Sequence, residues 1–153
     1  MPDSVTLLSP RRTGDSRVRA AAPMARFSLR GPESFAAEGA TALRLGPDEF
    51  LLLLPEGEAP VLDVAVPCSL VDISHRQVGI VLEGPAAADM LNAGCPLDLD
   101  EAAFPIGMAT RTLFMKVDIV LWRVGPQKFH VEVWRSFAPY VWSLLEVIGQ
   151  EYT

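Results

Sequence analysis

The chain has 153 residues, half of them hydrophobic, which suits one domain with an ordinary core. A net charge of −6 and a sequence pI near 4.8 argue against a nucleic-acid footprint. No apolar run approaches the length that spans a bilayer.

The charge is uneven along the chain. Residues 1–30 hold six arginines (Arg11, Arg12, Arg17, Arg19, Arg26 and Arg30) and two aspartates, so 6 − 2 = +4, leaving −6 − 4 = −10 on the other 123 residues. MPDSVTLLSPRRTGDSRVRAAAPMARF lacks the apolar core of a secretory signal, because Pro10, the arginines and Gly14 interrupt it. Residues 1–25 are therefore expected as a basic arm, flexible or partner-bound, on a single α+β domain over 26–153, and the protein is expected in the cytoplasm. Cys68 and Cys95 have no CxxC or CxH spacing, which implies two reduced thiols and no zinc site of the Cys/His type.

After the arm, RFSLRG alternates as a strand, and Gly31-Pro32 opens a short helix over ESFAAEGA. ATALRLGPDEFLLLLP reads as a hairpin turned at Gly46-Pro47-Asp48. LVDIS and QVGIVLEG are strand-like; Pro85 then starts a helix over 85–93, with Gly94 as its expected left-handed cap. LDLDEAAFP reads as a helical turn capped by Asp98 or Asp100. TRTLFMKVDIVLWRV reads as one long strand over 110–124, with Met115, Val117, Ile119 and Leu121 on one face. Gly125-Pro126-Gln127 turns the chain into KFHVEVW. In the last block Ser136 is the expected N-cap of a helix whose apolar stripe is Phe137, Val141, Leu144, Leu145 and Ile148.

An internal repeat runs through these blocks. FSLRGPESFA (27–36) parallels IVLEGPAAAD (80–89), and LGPDEFLLLLP (45–55) parallels VGPQKFHVEVW (124–134), with offsets of 53 and 79. The unequal offsets exclude a solenoid. They imply two βαββ-type halves, the second with an insertion, forming a mostly antiparallel sheet with helices packed on it.

Asp72, His75 and Arg76 in DISHR suggest at first a general base with an orienting acid. No GxSxG, CxxC or HExxH accompanies them, which favours a hydrogen-bonded Asp, Ser and His cluster. His130 alternates with Glu132 and Trp134 on a strand, the pattern of a solvated or interface face. Asp98, Asp100 and Glu101 lack calcium-loop spacing. Trp122, Trp134 and Trp142 are large amphipathic rings of the kind enriched at interfaces. These residues give no catalytic, cofactor-binding or metal site. They give interface candidates: Trp122, Trp134, Arg135, His75, Arg76, Arg11 and Arg12.

VDISHRQVGIVLEGPAAADMLNAGCPLDLD, followed by FPIGMATRTLFMKVDIVLWRVGPQKFHVEVWRSFAPYVWSLLE, closely resembles the gamma subunit of heterotetrameric sarcosine oxidase from about residue 26 onward. More distantly, the DxS, strand, GP, helix and LxLD order is similar to the folate-binding domain of the glycine-cleavage aminomethyltransferase. The resemblance implies a non-catalytic assembly subunit of an oxidoreductase complex. That complex demethylates sarcosine to glycine with hydrogen peroxide and formaldehyde or methylene-tetrahydrofolate. It also implies alpha, beta and delta partners carrying FAD, FMN, NAD, zinc and the tetrahydrofolate site, with no cofactor in this chain and no nucleic-acid or membrane partner. The surface that partners would cover also offers the isolated chain a route to self-association. The rival expectation is a small stand-alone folate-binding or one-carbon-transfer protein using Asp72 and His75.

Overall fold

Period-two alternation dominates the sequence, and the computed structural model, which describes residues 11–13 and 16–152, converts most of it into antiparallel strands. In chain order these are β1 (Arg11–Thr13), β2 (Ser16–Ala20), β3 (Met24–Arg30), β4 (Ala36–Ala37), β5 (Thr41–Gly46), β6 (Glu49–Pro55), β7 (Leu62–Asp63), β8 (Ser69–Asp72) and β9 (Gln77–Glu83). Helix α1 (Ala87–Asn92), β10 (Ala109–Phe114), β11 (Val117–Gly125), β12 (Lys128–Trp134) and helix α2 (Ala138–Gly149) follow. Instead of one domain over 26–153, the chain divides into an inserted unit, Pro23–Gln77, and a terminal unit made of Met1–Ala22 with Val78–Thr153.

The inserted unit is a four-stranded sheet in the order β5-β6-β3-β8, with the small β4-β7 pair beside it. Strands β3 and β6 pair from Met24 opposite Pro55 to Arg30 opposite Glu49. Its core is Ala25, Phe27, Leu29, Phe50, Leu52 and Leu54. The helix expected over ESFAAEGA does not form, and Ala36 and Ala37 pair with Asp63 and Leu62 instead. Gly39, at φ +78°, takes a left-handed conformation that a helix cannot continue through and turns the chain away.

The terminal unit is a six-stranded sheet, β1-β2-β9-β12-β11-β10. Its core joins Ile80, Leu82, Ile119, Leu121, Phe129 and Val131 to Met90 and Leu91 of α1 and Val141, Trp142 and Leu145 of α2. The expected arm is shorter than residues 1–25: β2 pairs with β9 from Arg17 opposite Glu83 to Ala20 opposite Ile80, and Val18 is buried in the core. Residues 1–10, 14 and 15 of the expected arm lie outside the described residues.

Three further expectations are corrected. The long strand over 110–124 is a hairpin, β10 and β11, turned at Met115-Lys116 with Met115 at φ +54°. Phe114 and Val117 both face the core, so the apolar phase shifts at the turn, which Met-Lys does not advertise. Helix α1 ends at Ala93 in αR conformation, and Gly94 is instead a close-approach position where a Cβ would lie 2.8 Å from the Phe114 ring. Helix α2 follows a 3₁₀ turn over Arg135–Phe137 and has no side-chain cap from Ser136. Starting at Ala138 rotates the stripe, so Trp142 is buried and Phe137 is half exposed.

The repeat extends to side-chain detail. Both hairpins carry R-x-G-P-x-x-F, Arg44 to Phe50 and Arg123 to Phe129, with a bulge between Arg and Gly in each. Arg44 donates to the carbonyls of Gly46 (3.5 Å) and Pro47 (3.0 Å), and its guanidinium lies 4.6 Å from the Phe50 ring. Arg123 donates to those of Gly125 (3.3 Å) and Pro126 (2.8 Å) and lies 4.8 Å from Phe129. Gly31 N–H donates to Asp48 O (2.9 Å) and Gly84 N–H to Gln127 O (2.8 Å), each glycine having positive φ. Arg30 and Glu49 form an ion pair (3.1 Å), and their repeat equivalents are Glu83 and Lys128, with the signs exchanged.

Candidate docking surface and polar face

Strand alternation sends Phe129, Val131 and Val133 into the terminal-unit core and His130, Glu132 and Trp134 to the opposite face. His130 and Glu132 are nonetheless buried, at 3% and 1% exposure, and their Nε2 and Oε1 atoms are 2.6 Å apart. In the repeat they replace Leu51 and Leu53, so the pair is a polar substitution inside an otherwise apolar pattern. Trp122 stands opposite His130 in the register, with ring centroids 5.6 Å apart. Gly79 completes the niche, since a Cβ there would lie 2.8 Å from both Cε1 and Nε2 of His130 and 2.8 Å from Ala21 Cβ. The expectation of a solvated face at His130 is therefore corrected: the hydrogen bond to Glu132 makes burial of the imidazole tolerable.

Asp72 and Ser74 form the polar turn expected around DISHR, but His75 does not close it. Ser74 N–H donates to Asp72 Oδ1 (2.9 Å), and Ser74 Oγ accepts from Arg26 N–H (2.8 Å) and donates to Arg26 O (3.3 Å). The turn thus pins the end of β8 onto β3. Ser74, through its hydroxyl and then its amide, holds the Asp72 carboxyl below its ordinary value, and the His75 charge adds a smaller pull. His75 and Arg76 are exposed.

The other candidates separate by exposure. Trp134, Phe137 and Tyr140 are about half exposed, at 50%, 50% and 51%. Spaced by three through a 3₁₀ turn into the first turn of α2, Phe137 and Tyr140 lie on adjacent helical positions. Leu113 and Met115, on β10 and its hairpin, are also exposed. Leu113 pairs with Asp118, and Trp134 stands one residue beyond the Ile119–Val133 pair, on the same side of the sheet by alternation. Arg135 adjoins this patch and is half-buried, while Trp122 lies four residues beyond Asp118 along β11 and is also half-buried. Trp142 is internal and donates from Nε1 to Glu146 Oε1 (2.9 Å). Arg11 and Arg12 fall in β1, opposite Val18 and Arg17. The residues that the sequence pattern missed are Phe137 and Tyr140, hidden by placing Phe137 in the buried stripe.

Cys68 is exposed and Cys95 buried, both as free thiols, with Cys95 Sγ 3.8 Å from Thr112 Oγ1. Among the described residues no cluster of three or more His, Cys, Asp or Glu side chains could hold a metal ion, and no helix is long and apolar enough to cross a membrane.

Residues 15–151 match the model of the family described as sarcosine oxidase, gamma subunit family. Sarcosine oxidase subunit gamma of Arthrobacter sp. is 37% identical over 106 residues, covering 66% of this chain and 52% of that relative. The chain likewise spans about half (53%) of the subunit gamma of Corynebacterium sp. (strain P-1). In structure it resembles a chain of the heterotetrameric sarcosine oxidase from Corynebacterium sp. U-96, solved with pyrrole 2-carboxylate. The TM-score is 0.76 and the identity 26%, over 90% of this chain and 85% of that one. The glycine cleavage aminomethyltransferase T of Bartonella henselae shares the fold, with a TM-score of 0.61 at 12% identity over 86% of this chain and 45% of that one.

Proposed function

The chain belongs to the sarcosine oxidase gamma subunit family, and from this premise we propose that it is a non-catalytic assembly subunit of a heterotetrameric sarcosine oxidase. The observation that carries the reading is the exposed aromatic patch of Trp134, Phe137 and Tyr140, extended by Leu113 and Met115. Exposed rings gathered at one end of a sheet are what an interface uses as anchors, because they bury large area at small entropic cost. Three of the groups that could do acid–base chemistry have structural roles. Asp72 fixes a turn, and His130 and Glu132 satisfy one another in a buried niche.

On this reading the alpha, beta and delta subunits are the partners. FAD, FMN, NAD, zinc and tetrahydrofolate belong to them, and this chain works in the cytoplasm as a scaffold that orients them. Arg135 supplies positive charge beside the patch, and Arg11 and Arg12 are docking candidates by their charge in the sequence.

The test is the affinity of the purified chain for the remaining subunits. Trp134→Ala should weaken binding by about 2 kcal/mol, the cost of losing an aromatic anchor, with the folded-state circular dichroism unchanged. Equal affinity of wild type and variant would contradict the patch. Micromolar tetrahydrofolate binding by the isolated chain, abolished by Asp72→Asn, would favour a folate-binding protein instead.

A further inference from the structure

The internal repeat shows what a completed module has that the inserted unit lacks. By the 53-residue offset Phe27 is equivalent to Ile80 and Arg30 to Glu83. The strand beside β3 is β8, with Phe27 opposite Asp72 and Arg30 opposite Ser69. The strand beside β9 is β2, with Ile80 opposite Ala20 and Glu83 opposite Arg17. Strand β8 is therefore the counterpart of β2, and Leu70 the counterpart of Val18. Their surroundings differ. Val18 is 1% exposed, because β1 pairs with the far edge of β2 and α2 packs against both strands. Leu70 is 38% and Val71 44% exposed, and all four residues of β8 are open to solvent. Among the described residues β8 bonds to β3 on one side and to no strand on the other.

An open edge with apolar side chains on both faces is a template for another strand, and proteins normally blunt or cover it. We propose that the outer edge of β8 is a docking site for an extended segment of another subunit of the oxidase, which pairs with Ser69 and Leu70 as β1 pairs with Arg17 and Val18. Main-chain hydrogen bonds supply the pairing, and Leu70 and Val71 select apolar side chains on both faces of the incoming strand. The charge of the unit biases the choice of segment. Residues 23–77 carry four arginines against eight carboxylates (Glu33, Glu38, Asp48, Glu49, Glu56, Glu58, Asp63 and Asp72), and 4 − 8 = −4. The incoming segment is therefore apolar where it pairs and net basic overall, and pairing between two copies of this unit is opposed by like charge. The identity of the partner rests on the assembly role; the site rests on the edge itself.

The experiment is amide hydrogen exchange on the full chain, free and in the assembled oxidase, with Leu70→Lys and Val71→Lys assayed for affinity to the other subunits. Residues 69–72 should become protected on assembly, and each variant should lose about tenfold in affinity, as expected for an apolar side chain withdrawn from an interface. Both positions are exposed, so the free variants should keep the wild-type circular dichroism. If a variant fails to fold, the exchange of the wild type decides. An assembled complex in which 69–72 exchange as fast as in the free chain overturns the edge proposal and leaves the assembly role standing. Protection that appears in the isolated chain with rising concentration overturns it in favour of self-pairing. A chain that binds no other subunit overturns both.

Discussion

At the residue scale, the niche around His130 is tight in a way that can be measured. Gly79→Ala places a Cβ 2.8 Å from the imidazole and from Ala21, neither of which sits at the free end of a long side chain. Urea unfolding should show a loss of about 1–3 kcal/mol, the usual cost of overpacking. Part of it should return in the Gly79→Ala/His130→Ala double variant, because the two positions share one space. Additive losses would place the strain elsewhere. The Asp72 turn makes a separate prediction. Its carboxyl is held below 3.8 in the folded chain, so the folded state binds fewer protons there than the unfolded state. This contribution is complete above the unfolded value and lost as pH falls through the depressed folded one. Urea midpoints measured from about pH 5 down to about pH 2.5 should fall less steeply in Asp72→Asn than in wild type, since Asn keeps an acceptor without titrating. Parallel profiles would contradict the assigned linkage. The sequence disclosed Asp72 and Ser74 as a polar turn, because Asx turns are local. It did not disclose that His130 is buried, because that depends on Glu132 and on Gly79 from a strand fifty residues away.

At the element scale, the two R-x-G-P-x-x-F hairpins are an internal control. Arg123 is 4% exposed and also donates to the carbonyls of Leu99 (2.8 Å) and Phe104 (2.9 Å), holding the 99–104 turn against its hairpin. Arg123→Ala should cost about 3 kcal/mol in urea unfolding, since it strands buried carbonyls. The exposed Arg44 donates to Glu33 O (2.8 Å) in a solvated setting, and Arg44→Ala should cost less than about 1 kcal/mol. Equal costs would mean that burial is not what distinguishes the copies. Met115 supplies a gain-of-stability test: its left-handed φ of +54° is unfavourable for a side chain with a Cβ, and Met115→Asn should raise stability by up to about 1 kcal/mol. The turn was illegible because Met-Lys carries no turn chemistry, whereas the GP hairpins announced themselves. Helix α2 was found but rotated, since its start is set by a 3₁₀ turn that no capping residue marks.

At the scale of the whole molecule, the repeat explains why so much of the architecture could be read in advance. Two copies of one pattern constrain each other, and the extra 26 residues between the 53 and 79 offsets fall between 89 and 124, the stretch in which the second copy adds β10. What the pattern could not show is which copy is finished. The terminal unit extends its sheet beyond β2 with β1 and packs helices on its core; among the described residues the inserted unit ends at the exposed apolar strand β8. An aromatic patch on one unit and an open edge on the other suit a chain whose stable form is an assembled one. Native mass spectrometry of the chain co-expressed with the other sarcosine oxidase subunits of its own cell tests this most directly. The expected result is a four-chain complex containing one copy of this subunit; its recovery only as a free chain beside an intact complex of the others would contradict the assembly role.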